Sequence, residues 1–337
     1  MPSTRIPRLL AAAGLALTFV LTACSSGSDE AGESSPAAGG AFPVTIEHAL
    51  GSTTLDGEPE RVVTWGFGST DAALALGVVP VAIPAQSYGG DAQGVLPWIG
   101  DRLAELGAET PAVLPNDGTD VPVEQIAAAR PDVILANYSG LTREQYETLS
   151  RIAPTVAYPD EPWATPWRDV VATVGQALGR SGEADRLIAD TEATIAEKAA
   201  AYPQLRGRTV AAVWDTGDTF YVYKPADSRV EFLTDLGLVS APSVAELSTD
   251  ESSFYFTLSF EEAGKLTSDI LLSYADDAAA QERTLAQPWA RTMGQVTDGR
   301  VAKVNGTELI AAVSPPTVLS LTWGIDAYLE ALAAAAE

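Results

Sequence analysis

The chain holds one cysteine, Cys24, and one histidine, His48, among 337 residues. A lone thiol closes no intramolecular disulfide, so the fold must be held by packing alone. A lone imidazole excludes a multi-histidine zinc site and a paired haem ligand set. Ser-His-Asp chemistry would have to recruit His48 from the opening hairpin, away from any expected strand-end cleft. Basic side chains are scarce too: 20 Lys and Arg stand against 45 Asp and Glu, a formal charge of −25. Such a surface repels nucleic acid and offers lipid headgroups no polybasic patch. Neither G-x-x-x-x-G-K-[ST] nor G-x-G-x-x-G occurs, which removes nucleotide hydrolysis and dinucleotide binding. The adjacent acids Asp250/Glu251, Glu261/Glu262 and Asp276/Asp277 read as solvated faces or caps rather than an acid/base pair.

An apolar run over 9–20 follows Arg5 and Arg8 and ends in Leu21-Thr22-Ala23-Cys24. That order is a secretory leader closing on a lipoprotein processing site. The run is shorter than the roughly 20 residues of a spanning helix. The expectation is that 1–23 is a signal peptide, that Cys24 carries lipid, and that 24–41 is a flexible tether, since it lacks aromatic and β-branched residues. The product would then be extracytoplasmic and anchored to the cell membrane. Loss of Arg5 and Arg8 makes its charge more negative by two.

The remaining length, with 46% apolar residues, exceeds one comfortable core and points to two domains. Phe42-Pro43-Val44-Thr45-Ile46-Glu47-His48 alternates like a strand, and the turn-rich stretch after it makes a hairpin. Arg61-Val62-Val63-Thr64-Trp65, a short helix capped by Ser69, and a buried strand over Val78 to Ile83 form a βαβ unit with parallel pairing. The grammar recurs: a short helix from Glu124 leads into Pro131-Asp132-Val133-Ile134-Leu135, and one from Glu261 into Ser268-Asp269-Ile270-Leu271-Leu272. Between these halves, Ala184, Leu187, Ile188, Ile195, Ala199 and Tyr202 share one face at helical spacing, bounded by Ser181 and Pro203. A helix of about 20 residues spans roughly 30 Å, enough to act as a strut between lobes that rock rather than swing. The expected class is α/β: two Rossmann-like lobes with central, mainly parallel sheets, joined by one long helix. Their bounds are 42–165, an interlobe helical segment 166–204, and 205–337.

These segments, taken in order, resemble the iron-siderophore substrate-binding lipoproteins of ABC importers. The likeness rests on the lipobox, Phe42-Pro43-Val44-Thr45, Pro59-Glu60-Arg61-Val62-Val63, Ala73-Leu74-Ala75-Leu76-Gly77-Val78-Val79-Pro80-Val81 and Ile126-Ala127-Ala128-Ala129-Arg130-Pro131-Asp132-Val133-Ile134-Leu135. It continues through Tyr138-Ser139-Gly140-Leu141-Thr142, Ile152-Ala153-Pro154-Thr155-Val156 and Asp227-Ser228-Arg229-Val230-Glu231-Phe232-Leu233-Thr234-Asp235-Leu236-Gly237. The resemblance implies a monomeric, non-enzymatic receptor that holds a ferric siderophore between two lobes and hands it to an ABC permease, without cofactor or protein-bound metal. Cobalamin or haem receptors share that fold and stay open as alternatives. An extracellular hydrolase or a ligand-free interaction lipoprotein are the rivals from other classes.

Ligands in open α/β sheets lie beyond the carboxyl ends of strands. Trp65, Tyr138 and Trp214 follow expected strands, while Trp98, Trp163, Tyr223, Tyr255 and Trp323 fall in Pro- or Gly-punctuated or irregular stretches. All eight are candidate walls for an organic ligand, with Tyr138 or Tyr255 open as a direct iron ligand. Arg229 is the charged candidate, its planar fork suited to hydroxamate or catecholate oxygens; an ion pair with Asp227 or Glu231 is the plain alternative. The resemblance also implies permease-docking acids: Glu124 on the first lobe, and Glu231 or Asp235 on the second.

Overall fold

The computed structural model describes residues 42–337. The leader, the tether and Cys24 lie outside the described residues. Strands β1 (Val44–His48) and β2 (Gly51–Leu55) form the antiparallel hairpin. A five-stranded sheet follows, made of β3 (Val62–Thr64), β4 (Ala82–Pro84), β5 (Ala112–Leu114), β6 (Val133–Leu135) and β7 (Thr155–Val156). All its pairings are parallel, in the order β5-β4-β3-β6-β7. That is the doubly wound order, whose direction reverses at β3.

The second sheet contains β8 (Thr209–Asp215), β9 (Phe220–Tyr223), β10 (Val239–Ser240), β11 (Tyr255–Thr257), β12 (Ile270–Ala275) and β13 (Val301–Asn305). It runs β11-β9-β8-β12-β13, with β10 beside the start of β8. The pairings among β10, β8, β12 and β13 are parallel, but β9 and β11 are antiparallel. The cause is local. Asp215 accepts from the Gly217 amide and Thr216 donates its amide to Thr219, so β8 turns straight back into β9 without a crossover helix.

Alternation along the strands covers both faces of each sheet. Val62 packs into one core and Val63 into another; Val210 and Ala212 face one way, Ala211 and Val213 the other. One of these cores is continuous across both sheets, running from Val62 and Leu135 to Val210, Leu272 and Val304. Helices fill the space between. Ser181–Ala200 is a helix with Ala184, Thr191 and Ile195 buried, packed against the helices Trp167–Ala177 and Val318–Ala334. The last of these also contacts Ser69–Ala75 and Pro97–Glu105 in the first half and Thr307–Val313 in the second. The strut therefore has a companion, and both halves share it.

The hairpin is fastened through His48. Its Nε2 lies 3.0 Å from the Thr53 hydroxyl, its ring meets Tyr146 edge-on at 5.1 Å, and its buried Nδ1 has no partner. Burial, opposed by the charge of Glu47, lowers its pKa below the usual 6.5. Below about pH 6.5 the unfolded chain therefore takes up a proton that folded His48 resists, and stability falls with pH until the folded pKa is reached. Urea midpoints between pH 7.5 and 5.0 should fall in the parent and fall less in His48→Gln. Equal slopes would place the dependence elsewhere.

Candidate functional site

The carboxyl ends of both sheets carry cavities. The first, about 310 Å³, lies over β3, β4 and β5 and is lined by Phe67, Gln86, Tyr88 and Asn116; Ala311, Ser314 and Thr317 close it from the other half. The second, about 620 Å³, lies over β8 and β12, between Trp214, Asp276, Arg283 and Trp289. Tyr88 lines both. Its hydroxyl donates to Asp276 Oδ1 at 2.7 Å, and its ring centre is 6.0 Å from that of Trp214. Burial, then the bond to and charge of Asp276, push its pKa well up. The next residue, Gly89, has φ +81°, and a Cβ there would come within 2.6 Å of the Ala311 Cβ. Only glycine lets this loop press so closely on the second half. One side chain thus partitions a single cleft that both halves build.

Behind the cleft sits a charged cluster. Asp227 caps the helix Ser228–Asp235, accepting the Arg229 amide, and its other oxygen receives Arg229 Nη1 at 2.6 Å. Arg229 Nε donates to the Ser314 hydroxyl at 2.6 Å, and the guanidinium lies 4.1 Å over the Tyr223 ring. Burial raises the Asp227 pKa, with Arg229 opposing it. Burial also works against the Arg229 charge, but Asp227 and the surrounding phenols outweigh it and raise its pKa. The expected alternative, an ion pair with Asp227, is present, and it is buried rather than superficial. Two of the three guanidinium nitrogens are committed to protein partners.

Of the aromatic candidates, Trp98 and Trp214 line the two cavities. Trp65 is 7% exposed and packs with Val63, Leu114 and Ile134 on the far face of the first sheet, so the structure places it in the core rather than on a cavity wall. Tyr138 and Trp163 form a cluster with Phe67, ring centres 5.9 to 6.4 Å apart. The Tyr138 hydroxyl lies 3.4 Å from that of Ser228, across the two halves. Trp163 is 39% exposed and held at φ 60°, a conformation costly for a bulky residue. Its indole lies over Gly140, where any Cβ would collide with the ring.

Tyr223, Tyr255 and Trp323 are not in irregular chain: they belong to β9, β11 and the helix Val318–Ala334. Tyr223 is buried under Arg229, and Tyr255 packs on Tyr221 at 5.4 Å. Trp323 meets Trp98 from the opposite side at 5.5 Å and lines a separate surface groove with Leu187 and Leu319. Strands of three or four residues carry too little periodicity to be recognised, and Trp323 is hidden inside an otherwise apolar helix. Phe67 and Tyr88 are not among the sequence candidates, and Asp276, expected on a solvated face or cap, lines the second cavity and accepts from Tyr88. The signal available was an aromatic before Gly89-Gly90, just past a buried strand.

The docking acids separate. Glu124 is exposed in the first turn of the helix Val123–Ala129. Glu231 and Asp235 instead surround Arg168, which also bonds Glu192 at 2.6 Å; Asp235 is 3.0 Å and Glu231 3.6 Å from the guanidinium. A second exposed acid, Glu261, stands where the chain repeats the surroundings of Glu124. Asp132 accepts the amides of Glu60 and Arg61 ahead of β3, and Asp269 accepts that of Thr209 at the start of β8. Val133 pairs with Val62 as Ile270 pairs with Val210. Glu261 precedes Asp269 by the same interval as Glu124 precedes Asp132, and it is exposed.

Residues 62–302 match the family described as periplasmic binding protein. A probable siderophore-binding lipoprotein of Bacillus subtilis, YfiY, is 26% identical over 283 residues, 82% of each chain. The Fe(3+) dicitrate-binding periplasmic protein FecB of Escherichia coli is 25% identical over 279 residues, 78% of this chain and 89% of FecB. The crystal structure of PiaA from Streptococcus pneumoniae in complex with ferrichrome superposes with a TM-score of 0.79 at 38% identity, covering 87% of this chain and 98% of PiaA.

Proposed function

Since the chain belongs to the periplasmic binding protein family, we propose that it is an extracytoplasmic receptor that captures a ferric siderophore of hydroxamate type and delivers it to an ABC permease. The observation that carries this reading is the cleft at the carboxyl ends of both sheets, walled by Phe67, Tyr88, Trp98 and Trp214. The names of YfiY and FecB and the ferrichrome held by PiaA support it. Iron inside a siderophore is saturated by the ligand's own oxygens, so aromatic walls that grip an organic shell suit the task better than metal ligands do. Trp163, held in its strained conformation beside Phe67, extends that wall. The reading retains the lobe bounds 42–165 and 205–337 about the segment 166–204, the lipid on Cys24, and a monomer. For delivery it pairs Glu124 with Glu261, one exposed acid per half at equivalent topological positions.

The cavities also bear on ligand charge. The first is lined by Asp71 and Asp117 and by no basic residue, and in the second Arg283 faces Asp215 and Asp276. Negative potential favours a neutral or cationic ferric hydroxamate over a triply anionic ferric tris-catecholate. Titration followed by tryptophan fluorescence at low salt tests this, because ferric complexes quench nearby indoles. The panel should include both siderophore classes, ferric citrate, cobalamin and haem. Trp214→Ala should weaken hydroxamate binding by about 1–3 kcal/mol, five- to 150-fold, whereas Trp65→Ala should act on stability instead. Tighter binding of the tris-catecholate, or saturation by cobalamin or haem alone, overturns the assignment.

A further inference from the structure

The first cavity contains a carboxylate that nothing yet explains. Asp71 is 3% exposed, in the first turn of the helix Ser69–Ala75, and it lines the cavity. Trp98 Nε1 donates to its Oδ1 at 2.7 Å, and the Thr317 hydroxyl donates to the same oxygen. No side chain bonds Oδ2 among the described residues, and no cation pairs with the group there. Burial raises its pKa, with the bonds from Thr317 and Trp98 opposing the shift. A buried carboxylate without a counter-charge is costly, and three features show what would relieve it. Phe67, Tyr88 and Trp98 line the space; its lining holds no Lys, Arg or His; and about 310 Å³ stands at the low end of ligand pockets, about 300–1,000 Å³. The volume suits one arm of a ligand whose bulk occupies the larger cavity beyond Tyr88.

We propose that this cavity is a subsite for a protonated primary amine carried on an arm of the ferric complex, received by Asp71 Oδ2 and by the aromatic faces of Phe67, Tyr88 and Trp98. The ammonium supplies the opposite charge that burial withholds from Asp71, and aromatic faces attract it further. Asp71 thereby selects among ferric hydroxamates by the charge of their appendage, a distinction that rests on the reading of this cleft as a hydroxamate site.

The test compares a linear ferric tris-hydroxamate bearing a free terminal amine with the same complex N-acetylated, in calorimetry with the full chain. The parent should bind the amine form about 10- to 150-fold more tightly, the range of a charge-assisted hydrogen bond. Asp71→Asn keeps the Oδ1 acceptor for Trp98 and Thr317, and it should bring the two forms close to equal affinity. Equal binding of both forms by the parent overturns the subsite while leaving the hydroxamate reading intact. Failure of both forms to bind, where another ligand class saturates the cleft, overturns the broader reading instead. Should Asp71→Asn not fold, Thr317→Val gives the second variant: it removes one bond to Oδ1 but keeps the charge, so the amine preference should persist, and its loss would count against Asp71 as the source.

Discussion

Glu124→Lys combined with Glu261→Lys should abolish ferric siderophore uptake in cells that depend on this receptor, while ligand affinity stays at the parental value. Both acids are exposed and neither belongs to an ion pair among the described residues, so reversal removes no internal contact. Each lies eight residues before an aspartate that ties down the start of a neighbouring strand, Asp132 for β3 and Asp269 for β8. A permease with two related subunits needs one contact per half, because a single contact leaves the cleft free to rotate over the channel. The ordinary account of Glu124 is a favourable charge at a helix N-terminus, about 0.3–1 kcal/mol with no partner at all. Under that account the double variant loses a little stability and imports normally. Parental uptake at normal surface levels would therefore dismiss the pairing. Reversal of Glu231 and Asp235 is the control: it should leave Arg168 with Glu192 as its one acidic partner, set two positive charges beside it, and lower the melting temperature.

Arg229→Met should destabilise the protein by about 3–5 kcal/mol, the cost of leaving a buried carboxylate without its partner. The side chains of Arg229 and Asp227 are only 18% and 4% exposed, which separates this pair from a surface ion pair worth about 0–1 kcal/mol. Asp227→Asn combined with Arg229→Met should recover much of the loss, because asparagine still caps the helix while removing the stranded charge. Urea unfolding of the parent, the single variant and the double variant decides the matter. A single-variant loss below about 1 kcal/mol would show the pair to be solvated.

Arg229 also shows where sequence reasoning reaches its limit. The motif around it marks an arginine at the start of a helix, and the structure agrees. What the motif does not carry is that Ser314 and Tyr223 occupy the guanidinium's edge and face, since Ser314 lies 85 residues downstream. The helix Ser181–Ala200 was legible because 20 residues of amphipathic spacing leave little ambiguity. Strands β3 and β6 were legible as short apolar runs before Trp65 and Ala136. The β8–β9 hairpin was not, because its turn is made by Asp215 and Gly217 in a stretch where polar residues also suit an ordinary loop. The site itself was the least legible part. Tyr88 meets Asp276 across 188 residues and Asp71 meets Thr317 across 246, and no local pattern encodes such a pairing.

The unbroken core beneath the helix Val318–Ala334 has a consequence for how the chain reaches its folded state. Neither half owns the buried face it presents to that helix: Leu74 and Val170 from one side and Val304 and Ile310 from the other meet Leu321, Ile325 and Leu329 in the same cluster. A first half made early remains an unfinished layer until residues near the far end of the chain arrive to cover it. A shared cluster of this kind should make the two halves melt together, as a single transition in calorimetry, and two separate transitions would show each half to be stable without the other.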